Sequence, residues 1–460
     1  MFRTSTLLII AFATVFFPRL LTYFGAPAPI NFFHFLTIPP LFLLALTTAK
    51  TRKIRYFSAA SELIAGLGLL LGCMTISSLL NEAGFVNLLL QYLILTEPYL
   101  FLLVFLLSPM DEGVVRKCKK WLLGFCAINL ILALMQSVLI PVGIYPRRGG
   151  TIADGIGGVF GGGGGSAANY ISSTISIYAA LYFLTLRSRI PVWLKLILVI
   201  ASVYQTQVSD SKQVFLALGL SVLVMISSKI KEPRRLFKYA IIVCPILVGI
   251  FWAYNNLDLE IFNAYRNWIS REGIFSIDGE GVQTKLAAFP IVGSYFSSPL
   301  HWLFGIGPGH SVSRLGGWML EKYSSLLLPL GATIHPASSE VFNVVRDGWI
   351  AQQSTVFFPL FTWAGIWGDF GFLGLGVYVY LGVIVFQKLC KTDLAKFYLI
   401  STAIFGLILT QMEEPGHTLT IAYLIGLQAN EVPPPTVRRS KTKTRKKESV
   451  KIERRSVESS

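Results

Sequence analysis

Apolar runs of about 18 or more residues recur along nearly the whole chain, separated by short polar connections. A helix of that length crosses a hydrocarbon core about 30 Å thick. The pattern predicts about twelve helices, near residues 5–24, 30–48, 58–80, 85–107, 121–142, 167–186, 191–208, 213–228, 239–256, 366–387, 397–412 and 416–430. One interruption is long. Residues 257–355 lie between the ninth and tenth runs, and a stretch of that size inside a compact protein is expected to fold into a cap of short helices and to carry function. The chain thus divides into helices one to nine with a glycine-rich loop at 143–166 (1–256), the large loop (257–355), an interfacial segment with helices ten to twelve (356–430), and a tail (431–460). The tail opens with Pro433-Pro434-Pro435, is basic, has almost no apolar content and is expected to be disordered.

Composition sharpens this picture. Of the 460 residues, 53% are hydrophobic and 14% charged. Soluble proteins carry roughly 25% charged residues, so a plain soluble enzyme is excluded. The net charge of +16 then reports orientation before it reports any nucleic-acid partner. Basic residues follow every even-numbered run: Lys50 to Arg55, Arg116 to Lys120, Arg187 and Arg189, Lys229 to Lys238, and Lys388 to Lys396. The positive-inside bias places those connections, both termini and the tail in the cytoplasm and the 257–355 loop outside. That loop is balanced in charge. Ala11-Phe12-Ala13 looks like a signal-cleavage site, but the apolar stretch before it is short, so a retained first helix is expected. Cysteine spacing indicates neither zinc nor a disulfide framework. The tail either touches anionic headgroups or merely fixes the C-terminus inside.

A few charges depart from the bias. Arg147-Arg148 fall outside, ahead of ten glycines in the stretch Tyr145–Ser166 and a new helix at Asn169. Unshielded amides, a helix N-terminus and arginine suit phosphate oxygens; a flexible connector, with two arginines too few to matter, explains the same residues. Lys212, in the turn Gln207 to Gln213, either meets an anion or pairs with Asp210. His301, His310 and His335 sit in the large loop, where histidine can move a proton near neutral pH or simply make a structural hydrogen bond. No metal-ligand spacing is present. The aromatic stretch Val356 to Phe370 suits a membrane interface, and Gly371 to Gly376 suits close helix packing. Glu97 and Asp369 are acids inside apolar runs and need explanation; such a group is a functional candidate, although Glu97 beside Pro98 also fits a bond to a neighbouring helix.

Together these pieces resemble the O-antigen ligase and O-antigen polymerase family, membrane glycosyltransferases that use lipid-pyrophosphate-linked glycans. Arg148-Gly149-Gly150-Thr151 through Asn169 resembles the family's Arg-x-x-Gly stretch. Ser211-Lys212 stands for its Ser-Arg pair, Leu303 to Gly309 matches its Leu-Phe-Gly-x-Gly-Pro-Gly element, and Gly371-Phe372-Leu373-Gly374-Leu375 its Gly-x-x-Gly-Leu. The family's histidine before that last element is replaced by Pro359-Leu360, which leaves it displaced, with His335 the best candidate, or absent. Lys285 stands for a missing arginine upstream of the Gly-x-Gly element. The resemblance implies an all-α polytopic bundle in a bacterial cytoplasmic membrane. It implies transfer of a glycan from an isoprenoid-pyrophosphate donor to a sugar hydroxyl, by a polymerase or ligase of envelope or exopolysaccharide. Arg147, Arg148, Lys212, Arg314 and Arg346 would hold the pyrophosphate, and His335 or Glu340 would assist the hydroxyl. No cofactor is implied; the expected partners are donor, acceptor, bilayer, flippase and chain-length regulators. A twelve-span secondary transporter and a non-catalytic envelope scaffold are the competing readings.

Overall fold

A computed structural model describes residues 4–49, 54–146, 151–163, 167–185, 190–228, 273–350 and 354–431, with a few positions between 245 and 257. Every regular element among the described residues is helical. The first expected run is not one helix but two, α1 (Thr4–Phe16) and α2 (Pro18–Tyr23). Proline lacks the amide a helix interior needs and is accepted at the first helical position, so Pro18 ends α1 and starts α2. A 3-10 turn, Ala28–Phe32, leads into α3 (Phe33–Thr47). Then follow α4 (Ile54–Leu80), α5 (Phe85–Leu107) and α6 (Glu112–Leu139). Asp111 caps α6 by accepting from the Val114 amide at 2.8 Å, so the basic residues 116–120 lie in its first turns, not in a loop.

After the glycine stretch come α7 (Ala168–Thr185), α8 (Val192–Val208) and α9 (Lys212–Ser227). The expected run at 239–256 lies largely outside the described residues. Short helices fill the large loop: α10 (Glu280–Leu286), α11 (Ala288–Ser294), α12 (Pro299–Phe304) and α13 (Pro336–Asp347). The chain then forms α14 (Thr362–Ile384), α15 (Asp393–Ile408) and α16 (Pro415–Glu431). Among the described residues, five helical segments are long and apolar enough to cross a membrane: Ala28–Thr47, Phe57–Leu80, Phe85–Leu107, Glu112–Leu139 and Thr355–Leu389. This is consistent with a membrane protein.

The interior of the bundle is organised around α16, which packs on α1, α5, α6, α7 and α15. Residues Gly416 to Ala429 are all buried. A helix covered on every side by other helices can carry polar groups that a lipid-facing helix cannot, and α16 carries His417, Thr418, Thr420 and Gln428 there. Its glycines admit close neighbours: a Cβ on Gly416 would stand 2.6 Å from the Phe160 ring, and one on Gly426 2.5 Å from that of Phe105. The short helices share a core with the bundle. Ala288, Val292, Val312, Ala337 and Val341 pack with Ala364 and Trp367 of α14, and α12 lies against α14 and α4.

Candidate functional site

The turn between α15 and α16, Gln411-Met412-Glu413-Glu414, sets two carboxylates side by side in the interior. Glu414 Oε2 receives Arg19 Nη2 at 2.6 Å and Arg314 Nη2 at 3.3 Å. The Pro18 break gives Arg19 its place on the short helix α2. Arg314 also donates from Nη1 to the Glu413 carbonyl at 2.9 Å, and its backbone amide donates to Glu413 Oε2 at 2.8 Å. Gln91, six residues into α5, reaches the same Oε2 at 3.5 Å. Six helical residues span ~9 Å, so the cluster lies well below the Phe85 end of α5. Arg314 and Glu414 have side chains 7% and 6% exposed.

The surroundings push the two carboxyls in opposite directions. Burial pushes Glu413 up to about 8, against the Arg314 amide, which favours the anion. Burial acts to raise Glu414 as well, but Arg19 and Arg314 outweigh it and hold that carboxyl below its usual range. Paired acids whose environments drive them apart are a recurring arrangement of proton chemistry. Several polar atoms here have no hydrogen-bond partner among the described residues: Arg314 Nε, Glu413 Oε1 and Gln91 Oε1. Deeper along α5, Glu97 takes both its oxygens to His34 Nδ1, at 2.9 and 2.7 Å. Glu97 thus bonds a neighbouring helix, α3. Beside the turn, His417 and Gln411 face each other at 3.3 Å.

An apolar cavity of about 360 Å³ opens between α5, α14, α15 and α16, lined among others by Tyr99, Trp363, Tyr378, Met412, Thr418 and Ile425. Met412 and Thr418 flank the two glutamates in sequence, while Arg19, Gln91, Arg314, Glu413 and Glu414 are not among the residues that line the cavity.

Asp369 has a different employment. Its oxygens accept from the Gly309 amide at 3.0 Å, the Ser311 amide at 2.8 Å and the Ser311 hydroxyl at 2.7 Å. The loop it holds is Leu303 to Gly309, in which Gly305, Gly307 and Gly309 all have positive φ. Asn81 and Asn87 donate to the carbonyls of Gly305 and Pro308. A Cβ on Gly305 would stand 2.3 Å from the Asp369 carbonyl carbon, and one on Gly371, itself at φ 63°, 2.4 Å from that of Leu303. The glycines bring two backbones into contact and the carboxylate locks them.

The residues expected from sequence are dispersed. Arg314 is in the buried cluster. Arg147 and Arg148 lie outside the described residues. The head of the glycine stretch folds inward, where the Gly158 amide donates to Gln136 Oε1 at 2.7 Å and the Val159 amide to Asn129 Oδ1 at 3.2 Å. Those two amides are already used. Lys212 pairs with Asp210 at 2.5 Å, and Arg346, exposed, with Asp347 at 3.2 Å. His335 is the N-cap of α13, its Nδ1 accepting from the Ala337 amide at 3.2 Å. It stacks on His310, and burial lowers the pKa of both rings, that of His310 to about 4. Glu340 accepts a hydrogen bond from the Tyr295 hydroxyl, whose ring packs edge-on against His335. Lys285 donates to the carbonyls of Phe358 at 2.8 Å and Ile408 at 2.7 Å, and burial pushes its amine down to about 7. It ties α10 to the end of α15, just ahead of the two-glutamate turn.

Sequence reasoning therefore passed over Arg19, Gln91, Glu413 and Glu414. A signal existed: Glu413-Glu414-Pro415 interrupts an apolar region, and Arg19 follows a proline inside one. The chain matches no protein-family model and no curated protein.

Proposed function

We propose that this protein is a membrane glycosyltransferase of the O-antigen ligase and polymerase type, transferring a glycan from an isoprenoid-pyrophosphate donor to a sugar hydroxyl on the outer face of a bacterial cytoplasmic membrane. One observation carries the reading. Arg19 and Arg314, from distant parts of the chain, converge on the buried Glu414, and the nearby chain residues Met412 and Thr418 line an apolar cavity between helices. A pyrophosphate on an isoprenoid chain needs both features: guanidinium groups to take the charge of the departing pyrophosphate, and an apolar wall for the chain. The donor arrives already activated, so no nucleotide-binding fold is required. The order of the sequence elements from Arg148 to Leu375 supports the same reading, with about twelve spans and the large loop outside. Arg314 is retained from the expected cation set, Arg19 joins it, and the base role expected of His335 or Glu340 stays with the pair at the mouth of α13.

The test is to replace Arg314 by Lys and His335 by Ala separately, confirm insertion in the membrane, and measure envelope or exopolysaccharide chain length in cells. Shortened or absent polymer with Arg314→Lys is expected. Unchanged polymer in both variants overturns the mechanism. The buried His34–Glu97 pair favours a second reading, a proton-coupled transporter; solute uptake into proteoliposomes driven by a pH gradient, with no glycan transfer, would establish it instead.

A further inference from the structure

Both guanidiniums of the cluster, Arg19 and Arg314, bear on a single oxygen, Glu414 Oε2, while Glu413, pushed up to about 8 by burial, accepts from the Arg314 backbone amide. An incoming pyrophosphate brings more negative charge than the one cation in excess here among the described residues can match. Two guanidiniums drawn onto one carboxylate oxygen hold the spacing that a phosphate oxygen would also accept. Arg314 Nε, buried and without a partner among the described residues, is an additional donor available to a larger anion.

We propose that Glu414 is an internal counter-anion: it holds Arg19 and Arg314 in the geometry of the donor's pyrophosphate, is displaced when that pyrophosphate binds, and takes up a proton from solvent as it is displaced. This rests on the reading of the site as a pyrophosphate site. The physical reason for the proton is simple. Burial alone favours the neutral form of Glu414; Arg19 and Arg314, and to a smaller extent His34, hold it below its usual range. Once the guanidiniums turn to the phosphate oxygens, a carboxylate left in this interior carries the full cost of an unpaired buried charge, and protonation removes it. The neighbours do not substitute for the lost cations. His34 of α3 is bound to Glu97 of α5; Glu413 is itself a carboxyl, facing Asp369 and Tyr378 of α14; Tyr323 stands near Arg314 and carries no positive charge. Glu414 is thus a positioning residue that also sets how tightly the donor binds at a given pH.

The probe is farnesyl pyrophosphate, titrated calorimetrically into the full-length protein in nanodiscs, in two buffers of different ionisation enthalpy. The wild type is expected to take up about one proton per ligand near neutral pH, and its affinity to rise about tenfold per unit fall in pH. A pyrophosphate drawn to guanidinium groups by itself releases protons, so uptake has the opposite sign from a simple cation site. Glu414→Gln, which needs no proton, is expected to bind at least about tenfold more tightly at pH 8, one decade being ~1.4 kcal/mol, and to lose the proton uptake. Proton release or no exchange by the wild type, or a Glu414→Gln variant that binds no more tightly, overturns the displacement while leaving the pyrophosphate site standing. Absence of binding by the wild type at every pH sinks the site assignment itself. If Glu414→Gln does not fold, the wild-type proton count decides alone.

Discussion

Two buried acid sites lie a short distance apart and are built for opposite purposes. At Asp369 the carboxylate oxygens meet the Gly309 and Ser311 amides and a serine hydroxyl, and glycines press the two backbones together. At the other site Glu414 meets two arginines, whereas Glu413 accepts from the Arg314 backbone amide and Gln91, and Arg314 Nε and Glu413 Oε1 have no partner among the described residues. A carboxylate satisfied by backbone amides is a fastener. A carboxylate matched by arginines, beside donors with capacity remaining, is a place where another anion can compete. Burial alone does not distinguish the two; the identity and completeness of the partners does.

The largest effect that sharpens this contrast is at Arg314. Arg314→Lys keeps a charge but loses the second prong, and transfer activity is expected to fall by about 10²-fold or more, measured as polymer formed per inserted protein. The Asp369 site should respond in the other currency. Gly305→Ala places a methyl against the Asp369 backbone at a positive φ and should destabilise the fold by about 1–3 kcal/mol, read as a lower melting temperature and inserted yield, with activity per folded molecule retained. If Gly305→Ala folded normally and lost activity, the loop would be part of the chemistry and the comparison would fail.

A pH series separates the sites next. Glu413 is raised to about 8 by burial, above its ordinary value. Its contribution to stability is therefore complete below about 4.5 and is lost as pH rises through about 8. Between pH 6 and 8 the wild type should lose up to about 1 kcal/mol per pH unit in thermal melts, and Glu413→Gln should flatten that slope. Smaller still, His335→Ala removes an N-cap and should cost about 0.5–2 kcal/mol; a loss of transfer beyond that expected from reduced folded protein would give the imidazole a part in proton movement. Lys212→Ala and Arg346→Ala break ion pairs with Asp210 and Asp347 that are partly or largely exposed and should change stability by no more than ~0.5 kcal/mol. A tenfold drop in polymer from either would move the cationic site away from Arg314.

Much of the helical framework was legible in the residues. The bilayer fixes how long an apolar run must be, so helices 85–107 and 366–387 could be read almost directly, and α5 and α14 occupy those stretches. The acids in apolar runs, Glu97 and Asp369, could be marked as needing partners. The partners themselves could not be found that way: one is a histidine at the start of α3, the other a loop of glycine and serine amides. The first run was read as continuous because its hydrophobicity is unbroken, whereas Pro18 breaks it, and that break is what turns Arg19 inward.

The sequence by itself determined that this is an all-helical chain with segments able to cross a membrane, because length and apolarity act locally and each run carries its own signal. Only the tertiary structure decided which charges meet. Arg19 and Glu414 are 395 residues apart and bond at 2.6 Å, and Arg314 reaches the same oxygen from a third segment. No spacing rule relates such positions. Their meeting follows from helix packing around α16, and packing is a property of the whole bundle, not of any stretch within it.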